Sequence, residues 1–503
     1  MKSFVSSSVV LALLLSSTAA SAATYSIGSS RADKTLQSVL KKLQPGDIVE
    51  FDGGEDYAPE DDIKQVEGAA GKPITFRGVA KGGKLPVIRG GDYGFVIHFS
   101  HAVFENFELT GQTGVGVLPK GDDIVLRNLY VHDCTCHGVL GADDEVGNLT
   151  IEYSHFFKTG DGEKRHQIYV NSDRTVHPGS VFRLHHNYIH DSNGGNNVKI
   201  RSERSEVYYN WIEGAKFHEL DLIGYDIMAD TKNFIPVHHD IVGNVIIKSP
   251  DADWFIARTG GDGDGESGGR VRFVNNTIIL GSKTNYAVVV QDKLESLEFS
   301  NNIITRQGGG NVEIVRDKNA AWVSGRKVGG SNNWVASGSV GAAELTGSIE
   351  GTDPMFENQA GRDLRPKQGS PVIDKGTETP AGPKGAELPN ALKLPAYQPD
   401  PAQVAAGTTR PLVSTIDIGA YEFGSGPPRQ AETTGGGGGT SDGGTQNPTG
   451  DGGSGGGGNK AASDEDDGCG CRAVGSTGEN GLAKPALLGL ALAAALIRRR
   501  RRA

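Results

Sequence analysis

Residues 182–224, FRLHHNYIHDSNGGNNVKIRSERSEVYYNWIEGAKFHELDLIG, decide how the rest of the chain is read. They hold two copies of one pattern: an apolar residue, two variable residues, Asn, one variable residue, an apolar residue. The copies are Leu184-His-His-Asn187-Tyr-Ile189 and Val207-Tyr-Tyr-Asn210-Trp-Ile212. Between them, Asn197-Val-Lys-Ile-Arg-Ser202 alternates apolar and charged residues. Side chains at i and i+2 share one face of a strand. Val198 and Ile200 are therefore expected in a core, with Lys199 and Arg201 together on an exposed face. Two neighbouring cations there suit an anionic partner or a reaction site.

The pattern recurs at Val103-Phe-Glu-Asn106-Phe, Val125-Leu-Arg-Asn128-Leu, Ile151-Glu-Tyr-Ser154-His-Phe156, Ile241-Val-Gly-Asn244-Val-Ile246, Phe273-Val-Asn-Asn276-Thr-Ile278 and Phe299-Ser-Asn-Asn302-Ile-Ile304. From Asn (or Ser154) to Asn the steps are 22, 26, 33, 23, 34, 32 and 26 residues. Periods of this size mean a solenoid, propeller or array. The units are rich in short β-type runs, with almost no helical periodicity. Leucine-rich repeats would place Leu at fixed offsets, and propeller blades keep a longer, steadier period. A parallel β-helix remains: about three short strands per coil, with insertions tolerated at the turns. At such a turn Asn bonds backbone groups and accepts left-handed geometry. Stacked coil on coil, these residues predict an internal polar ladder.

The ends carry their own signals. Lys2, the apolar run Val9–Leu15 and Ala20-Ser-Ala22 read as a secretory signal over residues 1–22, too short to span a membrane. Residues 424–468 are rich in Gly, Ser, Thr and Asp and read as a flexible linker. Cys469-Gly-Cys471 follows, then the apolar run Pro485–Ile497 and five arginines, Arg498–Arg502. This order, across 469–503, resembles the myxobacterial C-terminal sorting tag. The resemblance implies export to the outer cell surface, membrane attachment through the tail, and removal or lipidation of that tail.

Residues 23–423 then form the working body. The net charge of the whole chain is −11, and the tail arginines make the body more acidic still, so nucleic acid is excluded as a partner. Of four cysteines only Cys134 and Cys136 lie in the body, too few for a disulfide scaffold. Packing must hold the fold, and a monomer is expected.

Residues 33–43, DKTLQSVLKKL, place Leu36, Val39, Leu40 and Leu43 at helical spacing and predict a helix capping the open N-terminal edge. The turn Pro45-Gly-Asp47 leads into a strand. This entry resembles the start of secreted pectate-lyase-like β-helix proteins. Asp353-Pro-Met-Phe356, residues 369–376 and Asp417-Ile-Gly-Ala-Tyr-Glu422 resemble the closing segment of bacterial right-handed β-helix proteins. The fold expected is all-β, a right-handed parallel β-helix solenoid with an N-terminal capping helix. Fold alone does not fix activity.

Such proteins usually act on acidic polysaccharides, so the resemblance implies a lyase of uronic-acid polymers. That chemistry needs the carboxylate neutralised by Ca²⁺ or a cation, and a base for the adjacent proton. Lys199 is the candidate base and Arg201 the candidate carboxylate clamp. His166 and Tyr169 lie about one coil before, and His218 about one coil after. The H-x-x-Y strand preceding a V-K-x-R strand resembles uncharacterised lyase-like β-helix proteins. Arg258 and His190 are candidates for binding substrate. Glu219 and Asp221 share a strand face and could hold Ca²⁺ or serve a glycoside hydrolase as a carboxylate pair. Each of these charges also reads as an ordinary solvated turn residue. Asp262-Gly-Asp264-Gly-Glu266 is a second acidic loop, lacking the full EF-hand spacing. His132-Asp-Cys134-Thr-Cys136-His137 reads as stacked thiols in the core rather than zinc, which would want a second ligand pair. A glycoside hydrolase and a non-catalytic glycan-binding adhesin stay open as alternatives.

Overall fold

The computed structural model describes residues 22–428, except 143–144, 226–235, 263–266, 381–390 and 402–406. The signal segment up to residue 21, the linker beyond residue 428, the tail 469–503, Asp264 and Glu266 lie outside the described residues.

The central stretch shows how one coil is made. Val181–His185, Tyr188–His190 and Val198–Ile200 are three short strands; Arg204–Tyr208, Trp211–Glu213 and Leu220–Ile223 repeat them one coil on. The coils pair in parallel and in register: Leu184 opposite Val207, Ile189 opposite Ile212, Val198 opposite Leu220. All six side chains are buried in one continuous core that runs from Ile27 to Leu345. The architecture is a right-handed parallel β-helix. Parallel crossovers take that hand because a twisted strand packs back onto its sheet only that way. The third strands of successive coils form a separate ten-stranded sheet, all parallel.

The Asn ladder is present. Each Asn splits its amide between two coils. Asn210 donates to the Leu184 carbonyl at 2.8 Å and to Asn244 Oδ1 at 3.0 Å; Asn244 donates to the Val207 carbonyl and Asn276 Oδ1; Asn276 and Asn302 continue the series to Asn333. Asn333 is a member that the pattern missed. Its apolar position is filled by Gly330, because a Cβ there would meet the Phe299 carbonyl at 1.8 Å. Two predicted members stand one column off. Glu152 pairs Arg127 and His155 pairs Tyr130, so Ser154 stacks on Leu129, not Asn128. Asn106 and Asn128 occupy the neighbouring column of left-handed residues, with φ of 65° and 49°. In later coils that column holds His186, Tyr209, Asn275 and Asn301, also at positive φ. The inward-facing residues of the early coils are Phe104 and Leu126, not Val103 and Val125. A one-residue slip exchanges the two faces of a strand.

At the N-terminal end the predicted helix is two single-turn 3-10 segments, Leu36–Ser38 and Leu40–Lys42. The run is shorter than an isolated helix needs, and its Thr35 makes no side-chain cap. Its apolar residues Leu36, Val39, Leu40 and Leu43 still join the core. The segment 353–423 does not simply close the far end. Phe356, Val372, Ile418 and Tyr421 pack with Trp211, Val245, Ile279 and Ile303 on the flank of the coils. Strands covered on both faces read as unbroken apolar runs, as Val245-Ile-Ile247 does. Cys134 is a free thiol buried in the core, and Cys136 is buried too. Among the described residues no helix is long and apolar enough to cross a membrane.

Candidate functional site on the ten-stranded sheet

Seven neighbouring strands of this sheet carry the site: β1 (His137–Ala142), β2 (Ile168–Asn171), β3 (Val198–Ile200), β4 (Leu220–Ile223), β5 (Ala257–Gly260), β6 (Tyr286–Gln291) and β7 (Glu313–Asp317). Alternation sends Val170, Ile200 and Leu222 inward, all fully buried. The opposite column then reads Leu140, Tyr169, Lys199, Asp221, Arg258, Val289, Arg316, one residue per coil. Residues 30 or more apart in sequence, such as Tyr169 and Lys199, thus become immediate neighbours.

Within the column, Lys199 Nζ sits 4.9 Å from the centre of the Tyr169 ring. Arg258 grips Asp221 through two hydrogen bonds of 2.7 Å each. Asp221 also accepts from Asn196 Nδ2 at 3.0 Å. Burial raises the Asp221 carboxyl, but the charge and hydrogen bonds of Arg258 outweigh it and hold the group well below the usual carboxylate range. The column faces outward yet is recessed: Lys199 is 7% exposed, whereas the Arg258 side chain keeps 22%.

A row of buried imidazoles runs alongside. His137 Nδ1 accepts from the His166 backbone, and His166 Nδ1 accepts from the Asn196 backbone. His218 Nδ1 donates to Asn196 Oδ1 at 3.0 Å. Burial pushes His137 down to about 4 and His218 to about 3. It pushes His166 well below its ordinary value, with the Lys199 charge adding to the shift. All three are neutral hydrogen-bonding groups near pH 7. His166 lies 5.7 Å from Tyr169, ring to ring, but is itself buried.

Three predicted roles need correction. Arg201 does not stand exposed beside Lys199. It is fully buried, donating to the Gly224 carbonyl at 2.7 Å and to Asp262, so its guanidinium is spent inside the protein. Asp262 also lies 3.7 Å from Lys199 Nζ and ties the two cations together. Glu219 turns into an interior corner. There it accepts from Asn197 Nδ2 and the Ala215 backbone and pairs with Lys248 at 3.3 Å. His190 belongs to the middle wall of its coil, where it stacks on Phe157 and bonds His155 at 2.6 Å, ring nitrogen to ring nitrogen.

These contacts test the calcium expectation. Both Asp221 oxygens are held by Arg258, and both Glu219 oxygens by protein donors. The pair does not present converging oxygens to a cation, and Glu219 with Asp221 does not fit a Ca²⁺ site. Among the described residues no group of three or more His, Cys, Asp or Glu could hold a metal ion.

Sequence reasoning missed Asn196, Lys248 and the bridging role of Asp262. Asn196 lies in the run Asn193-Gly-Gly-Asn-Asn197, where a turn is the natural reading. Lys248 merely ends an apolar strand, and nothing local marks it as the partner of a glutamate 29 residues earlier.

The fold and site define a parallel β-helix with a charged column recessed into one wall. No protein-family model matches the chain, and no curated protein matches it. Solved structures of similar winding include a pectate lyase, Pel9A, with 12% identity and a TM-score of 0.45, covering 80% of this chain and 96% of that one. A rhamnogalacturonan lyase gives 15% identity and a TM-score of 0.39, covering 68% and 92%. The GH136 lacto-N-biosidase from Eubacterium ramulus gives 13% identity and 0.36, covering 65% and 68%.

Proposed function

We propose that this chain is a lyase of acidic polysaccharide, cleaving by β-elimination at a uronate residue laid over the column of β2 to β5. The reading rests on one observation: Tyr169, Lys199, Asp221 and Arg258 stand in register on four successive coils. A uronate proton is weakly acidic, and a cation on the carboxylate makes it removable. Arg258, the more accessible of the two cations and already oriented by Asp221, takes the carboxylate. Lys199, in its neutral amine form, takes the C5 proton. The freed electron pair forms the C4–C5 double bond as the C4–O bond breaks. Tyr169, beside Lys199, returns a proton to the departing oxygen. The buried row of His137, His166 and His218 keeps one side of the site uncharged.

A hydrolase needs two carboxylates facing its substrate. Glu219 is turned inward and Asp221 is held by Arg258, so this geometry favours elimination. The termini complete the proposal: a monomer exported through residues 1–22 and held at the outer surface by residues 469–503.

The test is incubation of the purified body with pectate, alginate and chondroitin, with and without EDTA, following near-ultraviolet absorbance of unsaturated ends. We expect absorbance to rise on one of them and to vanish in Lys199→Ala. New reducing ends without absorbance would make it a hydrolase. Retention of polymer with neither signal would make it a binding protein.

A further inference from the structure

Beyond Arg258 the same column continues through Val289 to Arg316, two coils further on. Its flank changes there. In place of His166 and Asn196 come Phe255 and Tyr286, with Trp254 beside them. Trp254 lies 5.1 Å from Phe217 and 5.3 Å from His218, ring to ring. Phe255 packs 4.4 Å from His218 and 5.2 Å from Tyr286. Trp254 is 40% exposed, one of the few large apolar side chains left open. The Arg316 guanidinium carbon lies 3.8 Å from the centre of the Tyr286 ring, its side chain keeps 39% exposure, and Glu313 is its ion partner.

We propose that this stretch is a second binding subsite for the polymer, resting on the lyase reading above. Trp254 offers its indole face to a sugar ring, and Arg316 takes a carboxylate two coils from Arg258. Strands stack about 4.8 Å apart, so the two arginine positions repeat at about 9.6 Å along the solenoid axis. That is close to the length of a disaccharide. A polymer lying along the axis would then meet an arginine with every second sugar. An aromatic face suits the apolar C–H face of a pyranose, and a guanidinium anchored by stacking suits a carboxylate. The substrate class this selects is a uronan carrying same-side carboxylates on alternate residues, longer than the part seated at Arg258 alone.

The experiment compares oligosaccharides of increasing length, for cleavage and for retention in polymer-containing native gels. Trp254→Ala and Arg316→Ala, both at exposed positions, should raise KM on long substrates by about tenfold with kcat held. On the shortest cleaved oligomer both should match the wild type. Equal KM for wild type and both variants at every length would overturn the subsite while leaving the lyase intact. Loss of gel retention in these variants, with no cleavage by the wild type, would keep the subsite and sink the lyase.

Discussion

Lys199 and Arg201 sit two residues apart, one in a strand and one just past its end, yet their surroundings give them opposite duties. Arg201 has no exposed surface and bonds the Gly224 carbonyl and Asp262. Removing one partner of a buried charge pair leaves the other uncompensated, at a cost of roughly 3–5 kcal/mol. Arg201→Ala should therefore lower the urea midpoint sharply, and any loss of activity should track unfolded protein. Arg258 is different: it is half-buried and grips Asp221 with two parallel bonds. Arg258→Lys keeps the charge but loses the fork. It should fold at nearly wild-type stability and lose about tenfold in kcat/KM. If Arg258→Lys unfolds while Arg201→Ala folds and only binds substrate poorly, the two roles have been assigned the wrong way round.

At the level of the strand and its turn, the repeat itself was legible, because an apolar-x-x-Asn pattern at solenoid spacing suits few architectures besides a stacked coil. The register of its first two copies was not. Val103 and Val125 are as apolar as the inward residues Phe104 and Leu126 next to them, so hydrophobicity could not tell the faces apart. The site was legible in kind and not in membership. Alternation placed Lys199 on the outward face but not its burial there, and whether Arg201 or Arg258 reaches the surface depends on Asp262, 61 residues away from Arg201. The two Asn columns make a sharp contrast. Asn128 stands at φ 49°, a geometry glycine takes freely, and it is partly exposed. Asn128→Gly should change stability by less than about 1 kcal/mol. Asn244 is fully buried, and without its side chain the Asn210 amide and the Val207 carbonyl lose partners. Asn244→Gly should cost about 2 kcal/mol or more. Equal costs, read from chemical denaturation, would show that the columns are not distinct.

Across the whole molecule, winding the chain buries several of its imidazoles. His137, His218, His155, His186, His238 and His239 are all held below their ordinary value, desolvation being the largest cause each time. His137 and His238 fall to about 4, the other four to about 3. The unfolded chain binds protons on these groups from about pH 6.5 downward, and the native chain does not until pH 4 or below. Between those limits the unfolded state holds more protons, so stability is full above about pH 6.5 and falls as the medium is acidified. Each such histidine contributes a slope of up to about 1.4 kcal/mol per pH unit. Several acting together should unfold the solenoid cooperatively well above the pH at which its carboxylates protonate. His132 opposes the trend; burial lowers it, but Glu108 and Asp133 together raise it above its ordinary value. Urea midpoints at pH 7.5, 6.0 and 5.0 should fall steeply in that order. The buried substitution His239→Gln, which removes one proton acceptor, should flatten the decline. Midpoints unchanged across the three values would show that these imidazoles are hydrated or paired in solution, and that the walls of the coil are less dry than their packing implies.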